Sequence, residues 1–158
     1  MNRRSILSLS VITASGLAFL PGNTVAQQSD IDGVKAASNA FYTALAALDG
    51  GPSMEKIWAN APYVTLAGPR AKSFMVGRDA VKQNWVDGDK LFAERKISMS
   101  DSHIHIVGNL AWEVGRETGQ AKMKDGSTRA VDNLVTRVYE KIGGRWLIVS
   151  HHAQPRPQ

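Results

Sequence analysis

Residues 131–152 read VDNLVTRVYEKIGGRWLIVSHH, and this stretch decides the fold of the chain. Two runs rich in β-branched and aromatic residues flank Gly143-Gly144. A Gly-Gly pair between two such runs is typical of a two-residue hairpin turn. The pattern therefore predicts two antiparallel strands, the second of which ends in His151 and His152.

Upstream of this hairpin the pattern changes from helices to strands near Lys96. Apolar residues spaced by three and four predict helices over residues 34–48, 53–58 and 78–92. Strands are predicted at residues 63–67, 74–76, 97–107, 111–123, 127–142 and 146–153. Helices followed by a run of long strands indicate an α+β fold, with the helices packed on one face of a curved antiparallel sheet.

The first 26 residues are predicted to be an export signal. They contain Arg3-Arg4, a broken apolar stretch at 6–20 and the small residues Thr24-Val25-Ala26 before a cleavage point. The start resembles a twin-arginine signal, although Asn2 and Ser8 depart from that pattern. We therefore expect a periplasmic protein whose single domain spans residues 27–158, with the export route left open.

Composition excludes several classes of function. The net charge is +5, and removal of residues 1–26 takes away two arginines and no acid, which leaves +3 (5 − 2). No basic run is present, so nucleic acid is not an expected partner. The chain has no cysteine, and the apolar stretch at 6–20 is too short to span a membrane. The mature domain must therefore be stabilised by its core rather than by disulfides.

Five short motifs carry a resemblance to a known family. They are FY at 41–42, APYV at 61–64, GRDAV at 77–81, GNLAW at 108–112 and GGRW at 143–146. Together they resemble the nuclear transport factor 2-like superfamily, which includes SnoaL-type cyclases and ketosteroid isomerase. The resemblance implies a cone-shaped pocket between the concave face of the sheet and three helices from the N-terminal half. It also implies a homodimer through the outer face of the sheet and no cofactor.

His151 is the first candidate for proton transfer, because an imidazole titrates near neutrality. An uninterrupted hairpin pairs His151 with Thr136 and places it on one face with Val149. On the preceding strand, between its ends, the even-numbered face is small or apolar apart from Asp132, which predicts that this face is the interior. A bulge would exchange His151 with His152. A purely structural histidine is the alternative.

The resemblance to ketosteroid isomerase adds Tyr42, which matches the tyrosine that stabilises an oxyanion in that enzyme. The two carboxylates of the enzyme are replaced here by Thr65 and Thr136. Their absence argues against the same steroid reaction, and both threonines are expected to line a pocket. Asp132 is either a further catalytic group at the other end of the pocket or a hydrogen-bonded carboxylate at its rim.

The turn at residues 124–126, Lys-Asp-Gly, allows two registers. A three-residue loop with a left-handed Gly126 pairs Val114 with Thr136 and places Trp112 and Arg116 inside. A two-residue loop instead places Glu113 and Glu117 inside. We favour the first, because it buries the tryptophan. Arg116 would then bind an anionic or carbonyl group or pair with Asp132, and Trp85 would help shape the pocket.

A metal site is not predicted. His103 and His105 share a strand face and would need His151 or His152 to hold zinc or copper, and nothing specifies a third ligand. The leading hypothesis is an exported, cofactor-free isomerase, lyase or cyclase that acts on a hydrophobic, ring-containing molecule. A non-catalytic ligand-binding or interaction domain is the main rival. A structural dimer with a filled interior is the third possibility.

Overall fold

A computed structural model describes residues 22–157 of the protein, with side chains from residue 25 onward. The elements in chain order are α1 (Gly22–Ala47), α2 (Pro52–Glu55), β1 (Thr65–Ala67), β2 (Met75–Val76), α3 (Arg78–Asp89), β3 (Phe92–Val107), β4 (Leu110–Met123), β5 (Thr128–Ile142) and β6 (Arg145–Pro155). The predicted export signal lies mostly outside the described residues and stays a prediction. Within the described part, every helix is too short or too polar to cross a membrane.

The six strands form one sheet in the order β2-β1-β6-β5-β4-β3. This confirms the predicted α+β fold, with a curved sheet and three helices in the N-terminal half. One pairing differs from the prediction, because β1 runs parallel to the last strand, β6. The chain passes through α3 and three long strands before it returns to β1, and a connection of that length permits a parallel neighbour.

Helix α1 packs on one face of the sheet, which we call the inner face; the opposite face is the outer face. The helix buries the predicted stripe of Val34, Ala37, Phe41 and Leu45 against it. The end of α3 differs from the prediction: the helix stops at Asp89, and Phe92 begins β3 instead of lying on the helix.

The β5–β6 hairpin has the predicted turn and an unpredicted bulge. Ile142 pairs with Arg145 across the two left-handed glycines of the turn. Tyr139 pairs with Ile148, but the next pair is Val138 with Ser150. Val149 is therefore an extra residue in β6, and every later residue is shifted by one position relative to β5.

The predicted interior face of β5 is wrong. The odd-numbered positions Asn133, Val135, Arg137 and Tyr139 are buried, whereas Leu134 and Thr136 on the even face are exposed. The bulge pairs His151 with Arg137 instead of Thr136. The missed bulge and the wrong face compensate for one another, so His151 lies inside as predicted.

The β4–β5 register is as predicted, but the buried face of β4 is not. Val114 pairs with Thr136 and Gly126 is left-handed, as the three-residue loop requires. The buried acids are nevertheless Glu113 and Glu117, while Trp112 lies on the outer face. The physical reason is that Arg137 of β5 is buried and requires opposite charge on the neighbouring strand.

Candidate functional site

A buried polar cluster occupies the inner face where α1 crosses β4, β5 and β6. We call it the Arg137 cluster, after the arginine at its centre, whose side chain is 0% exposed. Its other members are Ser38, Tyr42, Glu113, Glu117, Tyr139 and His151. Buried charge of this kind is costly unless each group is paired and hydrogen-bonded.

The guanidinium of Arg137 meets two carboxylates and one aromatic ring. Its Nη1 lies 3.5 Å from Oε2 of Glu113, and its Nη2 lies 3.5 Å from Oε1 of Glu117. The guanidinium carbon lies 4.0 Å from the centre of the Phe41 ring, which is a cation–π contact. Arg137 is therefore held from β4 on one side and from α1 on the other.

Both carboxylates are also occupied by hydroxyl and amide donors. Glu113 accepts hydrogen bonds from Ser38 (3.1 Å), Ser102 (2.7 Å) and Tyr139 (2.6 Å). Glu117 accepts from the hydroxyl of Tyr42 (3.0 Å) and more weakly from the Nδ2 of Asn133 (3.4 Å). Glu113 is therefore fully engaged, whereas the Oε2 of Glu117 has one weak partner and is buried beside Arg137.

His151 is held as a neutral hydrogen-bond donor. The Nε of Arg137 donates to the Nδ1 of His151 at 3.3 Å, and the imidazole stacks on Phe41 with ring centres 5.1 Å apart. Burial, the charge of Arg137 and the nearby His152 hold the pKa of His151 well below its ordinary value of 6.5. With the Nδ1 lone pair accepting from Arg137, the proton of the neutral ring lies on Nε2. The ring can therefore donate a hydrogen bond, but it is a poor base.

Tyr42 lies inside, as the resemblance implied, and its hydroxyl is already engaged. Burial raises the pKa of Tyr42 well above its ordinary value of 10.0, and the charge of Arg137 only partly opposes this rise. The hydroxyl donates to Glu117 and accepts from the Nη2 of Arg137 at 3.1 Å. A substrate oxyanion would have to displace Glu117 to receive this proton.

Two further candidates, Arg116 and Asp132, lie together on the outer face. The Nε and Nη2 of Arg116 donate to the two carboxylate oxygens of Asp132 at 2.7 and 2.8 Å. Hydrogen bonds from Arg116 and then Arg156 hold the pKa of Asp132 well below its ordinary range. The predicted pairing of these two side chains is present, and Asp132 is an ion-paired surface carboxylate remote from His151.

The remaining candidates divide between the two faces. Thr65 donates its hydroxyl to Ser150 at 2.8 Å, and Thr136 is exposed on the outer face. Trp112 is 38% exposed and stacks on His105. The structure thus brings Tyr42, Trp85, Val149 and His151 into the core and leaves Thr65, Trp112, Arg116, Asp132 and Thr136 outside it. Strand alternation from the wrong face of β5 accounts for most of the misplaced residues.

A small cavity lies between α2 and α3. Its volume is about 20 Å³, which is room for one water molecule. Its walls are formed by Met54, Glu55, Trp58, Ala59, Val64, Arg78, Val81, Lys82 and Trp85. Phe41 separates this cavity from His151, because its ring contacts both Trp85 and the imidazole.

Metal ligation finds no support in the described part of the chain. No group of three or more histidine, aspartate or glutamate side chains there is arranged to hold an ion. His103 and His105 pair with the outer-face residues Val114 and Trp112. The two histidines therefore lie on the face opposite to His151.

The central residue of the cluster, Arg137, was not a candidate at the sequence level. Charged residues on a strand are usually solvated, and the alternation of β5 predicts that Arg137 lies on the outer face. The predicted Val114–Thr136 register could have pointed to Arg137, because the same register pairs Glu113 with Arg137. Opposite charges that lie directly across two long strands can pair, so the face that carries them can be buried.

Arg137→Met is expected to destabilise the fold by about 3–5 kcal/mol, because it leaves two buried acids without their cation. Arg116→Met is the matched control, and loss of its exposed ion pair should cost about 0–1 kcal/mol. The measurement is the free energy of unfolding from urea titrations. Adding Glu113→Gln and Glu117→Gln to Arg137→Met should recover part of the loss. Equal stability of the two arginine variants would contradict a charge-dependent core.

The pH dependence of stability should report on His151. Its pKa is about 6.5 unfolded and lower when folded, so below pH 6.5 the unfolded chain binds a proton that the folded protein does not. The contribution of His151 to the free energy of unfolding is complete above pH 6.5. As the pH falls below that value, about 1.4 kcal/mol of stability is lost per pH unit.

His151→Gln should flatten the dependence between pH 6.5 and about 5.5, above the ordinary range of carboxyl groups. The same substitution at the exposed neighbour, His152→Gln, is the control and should leave most of the slope in place. Urea unfolding at a series of pH values measures both. A slope unchanged by His151→Gln would show that the imidazole is not held neutral.

Solved structures share this architecture. A proposed dehydratase of the NTF2-like family from Streptomyces avermitilis superposes with a TM-score of 0.75 at 21% identity, covering 84% of this chain and 99% of that chain. A proposed calcium/calmodulin-dependent protein kinase type II association domain from Thiobacillus denitrificans gives 0.66 at 26% identity, covering 78% and 94%. A ketosteroid isomerase-like protein from Erwinia carotovora gives 0.66 at 16% identity, covering 78% and 94%.

Sequence comparison identifies the family of the chain. No curated protein matches the chain. The sequence profile of the SnoaL-like domain matches residues 34–154, from the buried part of α1 to the end of β6. The chain therefore belongs to the SnoaL-like domain family and has the NTF2-like fold.

Proposed function

We propose that this SnoaL-like domain binds a small organic molecule at the cavity between α2 and α3, and that binding rather than proton transfer is its function. The observation that carries this proposal is the saturation of the Arg137 cluster. Glu113, Glu117 and the Nδ1 of His151 all accept hydrogen bonds from protein groups. A general base needs a free lone pair within reach of the substrate; Glu113 and the Nδ1 of His151 are already engaged, and Glu117 is buried beside Arg137 with its Oε1 occupied.

The surroundings of the cavity support an aromatic or otherwise apolar ligand. Trp58 and Trp85 stand 6.3 Å apart between ring centres, beside the apolar side chains of Met54, Val64 and Val81. A ring-sized ligand needs more space than about 20 Å³, so side chains that line the cavity would have to move to admit it. Aromatic and apolar walls with few polar groups are typical of small-molecule sites.

Catalysis by a cofactor-free isomerase, dehydratase or cyclase is the second candidate. It is favoured by the Nε2–H of His151, which a neutral imidazole can donate to a developing oxyanion. In this reaction His151 would act as an electrophile and not as the base that the sequence suggested. Turnover of a bound molecule by the wild type, and its loss in His151→Gln, would support this candidate.

We further propose that the domain forms a homodimer through its outer sheet face. Trp112, Val114 and Leu134 are exposed there, at 38%, 38% and 41%, with partly buried Val138 beside them. None of the described helices packs on this face. Exposed apolar patches of this kind mark protein interfaces more often than free surfaces.

A thermal-shift screen of the full chain tests the binding proposal. The panel is steroids, polyketide-like aromatics, lignin-type phenolics and terpenoids. A ligand at 100 times its dissociation constant should stabilise the protein by about 2.7 kcal/mol, or several degrees in Tm. Trp85→Ala should abolish the shift and Trp112→Ala should preserve it. If no compound of the panel raises Tm, or if both tryptophan variants lose the shift equally, the cavity is not the binding site.

Sedimentation velocity tests the dimer. The wild-type chain should sediment as a dimer, and the double variant Trp112→Lys with Leu134→Lys as a monomer, because two lysines per protomer oppose one another across the interface. Val76→Lys is the control, since Val76 is exposed on strand β2 at the far edge of the sheet. A monomeric wild type at micromolar concentration would reject the dimer.

A further inference from the structure

We propose that the cavity between α2 and α3 is a carboxylate-binding site, in which the indole N–H groups of Trp58 and Trp85 donate to the ligand while Arg78 and Lys82 supply positive charge at the rim. This inference rests on the proposed function and names the chemical class of the ligand. It predicts a small organic monocarboxylate whose apolar part packs on the walls of the cavity.

Two unpartnered donors are the first observation. The Nε1 atoms of Trp58 and Trp85 are buried and have no hydrogen-bond acceptor among the described residues. The two side chains are only 7% and 8% exposed. In contrast, Trp146 donates to Asp30 at 3.2 Å. A buried donor without a partner is costly. Both tryptophans line the same cavity, so an acceptor bound there is the partner that we propose for them.

The second observation is where the backbone places these two tryptophans. Trp58 is fixed to β6, because the backbone groups of Ile57 and Ala59 on either side of it hydrogen-bond to Ile148. Trp85 follows Arg78, Val81 and Lys82 at spacings of seven, four and three on α3, which places all four on one helix face. The donors and the cations are thus presented by one face of α3 and by the segment that is hydrogen-bonded to β6.

Charge at the rim selects an anion. Glu55 of α2 accepts from Lys82 at 2.6 Å and from Arg78 at 3.1 Å. Two cations against one carboxylate leave a single positive charge beside the cavity. Lys82 hydrogen-bonds to Glu55 and holds the pKa of that carboxyl below its usual value. Donors without acceptors, together with one net positive charge, match a monoanion better than a neutral carbonyl.

Indole N–H resonances offer a direct test on the full chain, which has four tryptophans. The probes are phenylacetate and its neutral counterpart phenylacetamide, each titrated to about 10 mM, a range that detects millimolar dissociation constants. Phenylacetate should shift the Trp58 and Trp85 signals and leave those of Trp112 and Trp146 in place. Single Trp→Phe variants assign the four signals, and Trp85→Phe should weaken binding by about tenfold or more.

Charge variants make the test specific to an anion. Glu55→Gln should tighten phenylacetate binding by about threefold to tenfold, and Lys82→Gln should weaken it by a similar factor. Neither should alter binding of phenylacetamide. Glu94→Gln is the matched control, because Glu94 pairs with Lys96 on the exposed strand β3 away from the cavity. Equal affinity for the two probes, or no effect of Glu55→Gln, would overturn the carboxylate assignment.

Two further outcomes separate this inference from the proposed function. If neither probe moves the Trp58 and Trp85 signals, and both indole protons contact only water, the cavity holds a single solvent molecule and the inference fails. If a ligand from the thermal-shift panel stabilises the protein without moving these two signals, the inference fails while small-molecule binding stands. A phenylacetate response in the absence of any panel hit supports the carboxylate site and rejects the lipophilic ligand class.

Discussion

The buried ion cluster around Arg137 is the constraint on which the rest of the structure depends. An arginine cannot give up its charge, so its burial requires opposite charge and a full set of acceptors. Strand β4 supplies Glu113 and Glu117, and α1 supplies the hydroxyls of Ser38 and Tyr42. These contacts fix which face of the sheet α1 covers. They also fix which face of β4 and β5 carries the apolar residues that stay exposed.

The long strands, the β4–β5 register and the first pairs of the β5–β6 hairpin were predictable, but the buried face was not. Turns at Gly126 and Gly143-Gly144 define the pairing, because a loop of given length and handedness permits one register. The alternation of side chains along each strand then defines two faces of the sheet, but it does not indicate which face is buried. On β5 the even face holds Leu134 and Thr136, and it has more apolar residues than the face that holds Arg137. Burial of polar residues is favoured here only because they satisfy one another, which is a property of three elements together.

The bulge at Val149 shows a second limit of sequence-based reasoning. Nothing in the run of β-branched residues through β6 marks where an extra residue will be accommodated. Its effect is large, since it moves His151 from opposite Thr136 to opposite Arg137. That single step turns the imidazole from a candidate base into a neutral acceptor of the arginine N–H. The position of His151 was thus predictable, while its chemical state depended on a feature that the sequence did not reveal.

The Arg137 cluster has its hydrogen-bond partners within the protein, whereas the cavity between α2 and α3 is lined by two tryptophans whose indole donors lack acceptors in the described part of the chain. This contrast favours the cavity as the site of function. In the Arg137 cluster each acid meets several donors, so the cluster gains little from a ligand and would lose contacts to one. At Trp58 and Trp85 two buried donors have no acceptor among the described residues, and such a donor is costly until a group from outside accepts it. A ligand that supplies an acceptor there removes this cost in the bound state only, and the gain appears as affinity. The separation of a satisfied interior from an unsatisfied cavity is what a binding domain requires.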